Sequence, residues 1–343
     1  MESVEERFAL RTMADVHAVE ALPIETQLPF RTTWDVFEQG ARLYGDRPAL
    51  SFLMSGAADE EPVRWTYAEL FRALTRTANA LRALGVEEKA PVSVVLPNFP
   101  ETHFTLWAGE RAGIANMVNP LLEPEHMGAI IDAAGSRTVV TLAPAPGTEI
   151  FATVSAALAH APRVRTVVLV DPSAYLPEPM RAMLAAQRVA PRLDRADIDL
   201  LDFHALVAEQ DGDRLTFDRP IGPDDIASLF HTGGTTGLPK LAEHSHRNEA
   251  FEAWVVPLCS GSEPGRTYLC GLPLFHVNAV MVTGVSVWAS GGHVLLATPQ
   301  GYRSTTLIEQ FWRVVERHGV NVFAGVPTLY ARLLDQPVDA DIS

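Results

Sequence analysis

The chain has 343 residues, of which 47% are hydrophobic and 8% aromatic, so it is long and apolar enough to fold around a large core. Its 42 Asp and Glu residues outnumber its 27 Lys and Arg residues, and the formal net charge of -15 argues against a nucleic-acid surface or an anionic-membrane surface. The two cysteines, Cys259 and Cys270, have no spacing typical of a zinc site and are too few for a disulfide framework.

Residues 1–31 form a lead-in without a strong hydrophobic period. The first residues are acidic and lack the basic and apolar stretches of a secretion signal, so we expect a cytoplasmic protein. Residues 267–302 carry no Asp, Glu, Lys or Arg, but Pro273 and Gly284 interrupt this stretch before it reaches the ~20 apolar residues of a membrane span. We therefore expect no membrane insertion.

Residues 32–170 alternate between amphipathic helices and short runs rich in Val, Leu and Ile, which predicts a first α/β subdomain. A capping box, Thr66 with Glu69, begins one of these helices, and Gly85 ends it. The predicted strands cover residues 49–53, 91–96, 114–118, 138–142 and 166–170. The alternation predicts mainly parallel sheets flanked by helices, and such sheets bind ligands at the carboxyl ends of their strands.

Residues 171–225 break this alternation because they are rich in proline and charge, and we predict a surface excursion with helices near residues 180–187 and near Leu206. Residues 226–343 return to strands and helices and are predicted to form a second α/β subdomain, which begins with the buried strand 226–230.

The strand 226–230 runs directly into a loop, Thr-Gly-Gly-Thr-Thr-Gly-Leu-Pro-Lys, whose composition is typical of a phosphate cradle. Glycines let backbone N–H groups approach an anion, threonines add hydroxyl donors, and the lysine adds a positive charge. The candidate phosphate-binding residues are Thr232, Gly233, Gly234, Thr235, Thr236, Gly237 and Lys240. A Walker P-loop is excluded because Leu238 and Pro239 separate Gly237 from the lysine. The alternative is a Gly/Thr hairpin turn with a solvated lysine.

Two later turns are weaker candidates. Phe275, His276 and Asn278 follow a predicted strand and a proline, although a single histidine beside an apolar helix is more often a core residue. Gly325 and Val326 end another predicted strand just before a proline that suits the first turn of a helix.

The histidines at 244 and 246 follow the loop. They are interpreted either as a functional pair beside the loop or, at least as well supported, as a solvated pair. A metal site would need more ligands than their neighbourhood offers.

The loop resembles the phosphate loop of the adenylate-forming superfamily, which includes acyl- and aryl-CoA synthetases, peptide-synthetase adenylation domains and luciferases. The family pattern is Thr-Ser-Gly-Ser/Thr-Thr-Gly-x-Pro-Lys, and this chain departs from it once, with Gly233 in place of Ser. The resemblance implies that the loop and Lys240 hold the β- and γ-phosphates of ATP, and that Mg²⁺ is shared between phosphate oxygens and a protein oxygen, with a loop threonine as the candidate. It further implies an acyl pocket beside Phe275, His276, Asn278, Gly325 and Val326, and CoA as the acceptor.

The expected acid is fatty or aryl and carries no α-amine, because residues 277–300 contain no Asp or Glu to pair with a buried ammonium. The small and apolar residues between Val280 and Val287 suit either such a tail or a core helix.

After Lys240 we find none of the family's later adenine-, ribose- and metal-binding segments and no small C-terminal domain. We therefore expect the incomplete N-terminal domain of an adenylate-forming enzyme, the front portion of an acyl-CoA synthetase that is inactive alone. A non-catalytic nucleotide- or acyl-binding module is one alternative, and an unrelated α/β enzyme that uses the loop for another phosphate is a second. The sequence predicts no oligomeric state.

Overall fold

The computed structural model describes residues 10, 12–186, 190–232 and 240–342. In this part of the chain, twelve strands form two sheets with helices packed around them. The strands are β1 Pro48–Leu53, β2 Val63–Thr66, β3 Val92–Val95, β4 Ala115–Met117, β5 Thr138–Leu142, β6 Thr166–Val170, β7 Asp199–Asp202, β8 Ile226–His231, β9 Leu241–Ser245, β10 Thr267–Cys270, β11 His293–Ala297 and β12 Val320–Phe323.

The α-helices are α1 Met13–Glu20, α2 Thr33–Tyr44, α3 Tyr67–Ala83, α4 Pro100–Ala112, α5 Pro124–Ala134, α6 Ile150–Ala157, α7 Glu178–Ala186, α8 Phe203–Ala208, α9 His246–Ser260, α10 Val277–Val280, α11 Ser286–Ala289, α12 Thr305–Glu309, α13 Phe311–His318 and α14 Pro327–Leu334. A π-helical turn, π1 Met281–Val285, joins α10 to α11. Short 3₁₀ helices lie at Ile24–Thr26, Leu158–His160, Pro172–Tyr175 and Gly301–Arg303.

Both sheets are mainly parallel, as the alternation of strands and helices predicts. The seven-stranded sheet has the order β7-β6-β5-β3-β4-β8-β9, and within it only β9 runs antiparallel to its neighbour. The five-stranded sheet has the order β12-β10-β11-β1-β2, in which β2 is the antiparallel edge. Strand β1 thus pairs with β11 from late in the chain, and β2 joins the same sheet through β1, so this sheet combines strands from both sides of the predicted subdomain limits at 170 and 226. The subdomain limits themselves stay a prediction.

Local sequence signals explain where several helices begin. The Thr66 hydroxyl accepts the N–H of Glu69 at 3.2 Å and the Glu69 carboxylate accepts the N–H of Thr66 at 2.8 Å, which is the predicted capping box. Helix α2 begins with the same arrangement of Thr32 and Asp35, and Pro327 occupies the first turn of α14, where its missing N–H costs nothing.

The segment 171–225 contains the two predicted helices as α7 and α8, and it also contributes structure that its composition does not indicate. Strand β7 forms the edge of the seven-stranded sheet beside β6. Arg219 is buried, and its guanidinium donates to the carbonyl oxygens of Glu110 at 2.7 Å and Gly113 at 3.1 Å. The segment is therefore tied into the fold at both of these places.

Aromatic residues on helices pack in one core cluster that also contains residues from strands of both sheets. The Phe37 ring lies 5.6 Å from Trp107 and 5.3 Å from Trp288, and all three are buried. The indole N–H of Trp288 donates to the carbonyl of Ala49 at 2.8 Å, and Tyr67 donates its hydroxyl to the carbonyl of Gly292 at 2.6 Å. These contacts hold helices α2, α3, α4 and α11 together in one shared core.

A bilayer crossing needs a long apolar helix, and the described residues contain none that qualifies.

Candidate active site

The two ends of the predicted phosphate loop meet at its base. Thr232 donates its N–H to the carbonyl of Lys240 at 2.8 Å, and its hydroxyl lies 3.3 Å from the same oxygen. Strands β8 and β9 pair antiparallel on either side, with His231 opposite Leu241. The loop is thus a hairpin connection longer than the usual two to five residues.

Gly233, Gly234, Thr235, Thr236 and Gly237 lie outside the described residues. Of the candidate phosphate ligands, the structure therefore places Thr232 and Lys240, and the other five stay predictions.

His231, at the carboxyl end of β8, is a site residue that the sequence argument missed. Its Nε2 accepts the N–H of Asn119 at 3.1 Å, which places the hydrogen of the neutral ring on Nδ1. Its ring stacks on Phe275 at 6.5 Å with an interplanar angle of 16°. Burial, and then the nearby His276, lower the pKa of His231. The sequence did contain a signal that could have identified His231, because this histidine ends a buried strand just before the predicted phosphate loop.

The turn that carries Phe275, His276 and Asn278 is held by a residue of the other sheet. Asn98, just beyond β3, donates its amide N–H to the carbonyl of Leu272 at 2.9 Å and accepts the N–H of Leu274 at 3.0 Å. Phe275 is buried, with its ring 4.6 Å from that of the exposed His276, whose pKa is lowered by partial desolvation. The structure therefore brings the candidate acyl-binding turn to the base of the candidate phosphate loop.

Gly325 and Val326 lie at the same edge of the five-stranded sheet as this turn. They follow β12, which pairs in parallel with β10, and the turn follows β10. A Cβ on Gly325 would come 2.5 Å from Cδ2 of Leu329, so that side chain would have to shift to accept a larger residue there. Val326 is exposed, and none of the described hydrogen bonds or ring contacts joins either residue to Phe275 or His276.

A cavity of about 1370 Å³ opens where strands of both sheets end. Met54, Pro97, Leu142 and Asp171, which line it, lie at the carboxyl ends of β1, β3, β5 and β6. Arg303, beyond β11, also lines it. This is the edge at which a parallel sheet binds ligands.

A second cavity, of about 650 Å³, lies beside the helix that follows the His276 turn. Asn278, Met281 and Val282 contribute to its wall, and His244 and Glu249 contribute from β9 and α9. Of these residues, the sequence predicted Asn278 as part of an acyl pocket and included Met281 among the small and apolar residues that suit a tail or a core helix. Val282, His244 and Glu249 were not predicted as pocket residues, because no motif joins the elements that carry them.

The interpretation of His244 and His246 as a solvated pair is wrong for His246. This residue is buried, and burial lowers its pKa to about 4. No group of three or more His, Cys, Asp or Glu residues is placed to hold a metal ion in the described ranges.

A family model described as "AMP-binding enzyme" matches residues 37–342. Among the similar proteins are marinolic acid–CoA ligase of Pseudoalteromonas sp. (strain SANK 73390), 33% identical over 96% of this chain and 48% of that protein, and long-chain-fatty-acid–CoA ligase of Bacillus subtilis (strain 168), 26% identical over 92% of this chain and 54% of that protein. The chain thus spans about half the length of these relatives.

Two solved structures share the fold. The anthranilate CoA ligase AuaEII, in complex with anthranoyl-AMP, matches with a TM-score of 0.69 and 18% identity over 93% of this chain and 54% of that one. The N-terminal domain of FACL13 from Mycobacterium tuberculosis matches with a TM-score of 0.63 and 19% identity over 90% of this chain and 66% of that one. The expected N-terminal α/β fold of adenylate-forming enzymes is confirmed.

Proposed function

Because the chain belongs to the AMP-binding enzyme family, we propose that it is the front portion of an acyl-CoA synthetase, which activates a fatty or aryl carboxylic acid with ATP and transfers the acyl group to CoA. One observation carries this proposal. The base of the phosphate loop, at Thr232 and Lys240, adjoins His231, which stacks on Phe275 of the candidate acyl turn. Groups suited to a triphosphate and groups suited to an acid are therefore side by side.

In the first half-reaction, a carboxylate oxygen of the acid bonds to the α-phosphorus of ATP. The bond from that phosphorus to the oxygen bridging the β-phosphate breaks, and pyrophosphate leaves with the electron pair. Lys240 and the N–H and hydroxyl groups of the loop stabilise the charge that develops on the pyrophosphate. In the second half-reaction, the thiol of CoA adds to the acyl carbon, and AMP leaves.

The acid would extend from His276 into the smaller cavity. Asn278, Met281 and Val282 line this cavity and lie directly beyond the histidine in the chain. A tail-sized, partly apolar space beside the reacting region suits a fatty or aryl acid.

Mg²⁺ would enter as part of the ATP substrate, held mainly by phosphate oxygens, as this ion usually is. The described residues offer no carboxylate or histidine cluster for it. The hydroxyl of Thr232 is the described loop oxygen available as a ligand, and its position at the loop base fits this role.

CoA would occupy the larger cavity. Its position at the strand ends of both sheets gives a long cosubstrate access to the reacting region, and Arg303 in its wall can pair with a phosphate. A cytoplasmic location is part of the proposal and is supported by the two unpaired cysteines.

The test is a panel of carboxylic acids assayed for ATP-dependent pyrophosphate release, with and without CoA, on protein expressed from the complete reading frame. We expect release with fatty or aryl acids and formation of an acyl thioester when CoA is added. ATP and acid binding without release would favour a non-catalytic binding module. Release only with α-amino acids would contradict the proposed substrate class.

A further inference from the structure

The smaller cavity has a wall of mixed apolar and polar residues. Phe251, Met281, Val282 and Leu28 of the lead-in supply apolar surface. The polar wall residues are His244, Arg247, Asn248, Glu249, Glu252 and Asn278, and the ring of His244 and the carboxylate of Glu249 meet directly. A polar group in such a pocket fixes the orientation and identity of what enters it.

Glu249 is held firmly as a hydrogen-bond acceptor. Its side chain is 1% exposed, and its Oε1 accepts the hydroxyl of Ser228 at 2.5 Å. Its Oε2 has no hydrogen-bond partner among the described residues, and the same is true of Oε1 of the neighbouring Glu110. Burial, and then the nearby Glu249, raise the pKa of Glu110, which favours its protonated form beside Glu249.

This arrangement fixes the orientation of His244. Its Nδ1 lies 3.3 Å from Oε1 of Glu249, and because a carboxylate only accepts, the ring hydrogen belongs on Nδ1. The ring stacks on Phe230 at 5.0 Å with an interplanar angle of 25°. The side chain is nevertheless 23% exposed, and Nε2 makes no hydrogen bond to the described residues. In the neutral ring, Nε2 is then an acceptor without a donor among the residues that the structure describes.

We propose that His244, oriented by Glu249, is a specificity-determining residue that accepts a hydrogen bond from a hydroxyl group on the tail of the substrate acid. The substrate class is then a hydroxylated fatty or aryl acid in preference to its deoxy analogue. A donor on the tail satisfies Nε2, whereas a purely apolar tail would desolvate this nitrogen without replacing the bond to water. This inference rests on the proposed function, because it requires that the smaller cavity holds the tail of the substrate acid.

Binding of matched acids tests the inference without requiring turnover. Isothermal titration calorimetry would compare ω-hydroxyoctanoate with octanoate and para-hydroxycinnamate with cinnamate, in the presence and absence of α,β-methylene-ATP. We expect at least one hydroxylated acid to bind about tenfold more tightly than its partner, as one hydrogen bond to a partly desolvated acceptor allows. His244→Phe keeps a ring on Phe230 but removes Nε2, and it should abolish the preference without weakening the deoxy acid.

Two further variants separate recognition from folding. Glu243→Gln changes the neighbouring, solvent-facing residue of β9 and should leave the preference intact. His244→Asn restores an acceptor on a shorter side chain and should recover part of the preference lost in His244→Phe. Thermal denaturation would show whether each variant is folded.

The inference is overturned if wild-type protein binds both members of each pair equally, if neither pair binds, or if His244→Phe retains the preference. Tighter binding of ω-aminooctanoate than of ω-hydroxyoctanoate would also overturn it, because the cavity would then be a cation site. A hydroxyl preference without any pyrophosphate release by protein expressed from the complete reading frame would support the inference and contradict the proposed function, so the two failures are distinct.

Discussion

The larger cavity is built from strand ends, whereas the smaller cavity is built mainly from a strand edge, helices and the lead-in. The larger one gathers the ends of four parallel strands from both sheets, and its charged wall residues include Glu123, Glu149 and Arg303, which are exposed. The smaller one contains Glu249, which is buried and bonded to its neighbours.

This difference shows two ways in which one fold can bind ligands. An open edge with exposed charges tolerates a long, flexible cosubstrate, because solvent reduces the energy of each contact. A pocket with a buried and oriented polar group discriminates, because an unsatisfied group there costs free energy. We therefore expect substitutions beside the smaller cavity to change selectivity or stability, and substitutions in the larger cavity to have smaller effects on affinity.

The largest effect is expected from Trp288→Ala, which removes the indole ring that packs against Phe37 and Trp107 in the shared core. Trp288 is fully buried and lies on α11, directly after the π-helical turn that borders the smaller cavity. Removing so large a core side chain should lower the free energy of unfolding by about 3–5 kcal/mol. Urea denaturation measures this loss. The matched substitution Trp312→Ala, at a half-buried position, should cost clearly less, and equal losses would contradict the assigned role of the shared core.

Lys240→Ala tests whether the hairpin loop between β8 and β9 binds phosphate. Losing a charge-assisted hydrogen bond should weaken ATP binding by about 1.5–3 kcal/mol, or roughly ten- to a hundredfold. Lys240→Arg should retain most of the affinity because it retains the charge. The control is Lys89→Ala, since this residue lies just before β3, at the opposite edge of the same sheet. Equal ATP affinity in wild type and Lys240→Ala, measured by calorimetry, would remove the basis for a phosphate loop.

The buried histidine beside the smaller cavity predicts a loss of stability in acid. Burial lowers the pKa of His246 to about 4, with Glu249, Arg219, Asp225 and Asp35 as its charged neighbours. Between about pH 6.5 and pH 4 the unfolded state binds more protons at this histidine than the folded state, so the stability that it contributes falls as the pH is lowered.

His246→Asn should therefore reduce the acid-induced loss of stability by roughly 2 kcal/mol over this range. Denaturant titrations at several pH values measure the slope. Burial lowers the pKa of His103 to about 3 and that of His293 to about 4. These two histidines therefore also reduce the folding stability as the pH is lowered. The raised pKa values of Glu101 and Glu110 act in the opposite direction, since the folding stability that these two groups contribute falls as the pH rises. An unchanged slope in His246→Asn would show that His246 is not the residue responsible.

The sequence predicted those parts of the molecule in which local patterns determine local structure. The capping box at Thr66, the alternation of strands and helices, and the strand before the loop were all visible as short-range patterns. The pairing of β1 with β11 was not, because it joins residues more than two hundred positions apart and depends on the whole fold.

The candidate site shows the same limit. Phe275 and His276 were predicted from a local turn, but His231, His244 and Glu249 become site residues only through neighbours on other elements. The contact between Phe275 and His231 joins two sheets, and that between His244 and Glu249 joins a strand to a helix. His246 was misinterpreted for the same reason, since nothing in its local sequence shows that α9 buries it.

The smallest effect is expected from Arg303→Ala in the larger cavity. If CoA binds there, removing one exposed cation should raise the KM for CoA by about three- to tenfold, because a solvent-exposed ion pair contributes only about 0.2–1 kcal/mol and a charge-assisted bond to phosphate somewhat more. The KM values for ATP and for the acid should not change, since Arg303 does not line the smaller cavity. Arg137→Ala is the control, because this exposed arginine precedes β5 at the opposite edge of the sheet. A rise in the KM for the acid instead of CoA would reverse the assignment of the two cavities. A rise in the KM for CoA that exceeds the loss of ATP affinity in Lys240→Ala would contradict the view that each contact in the open cavity is weak.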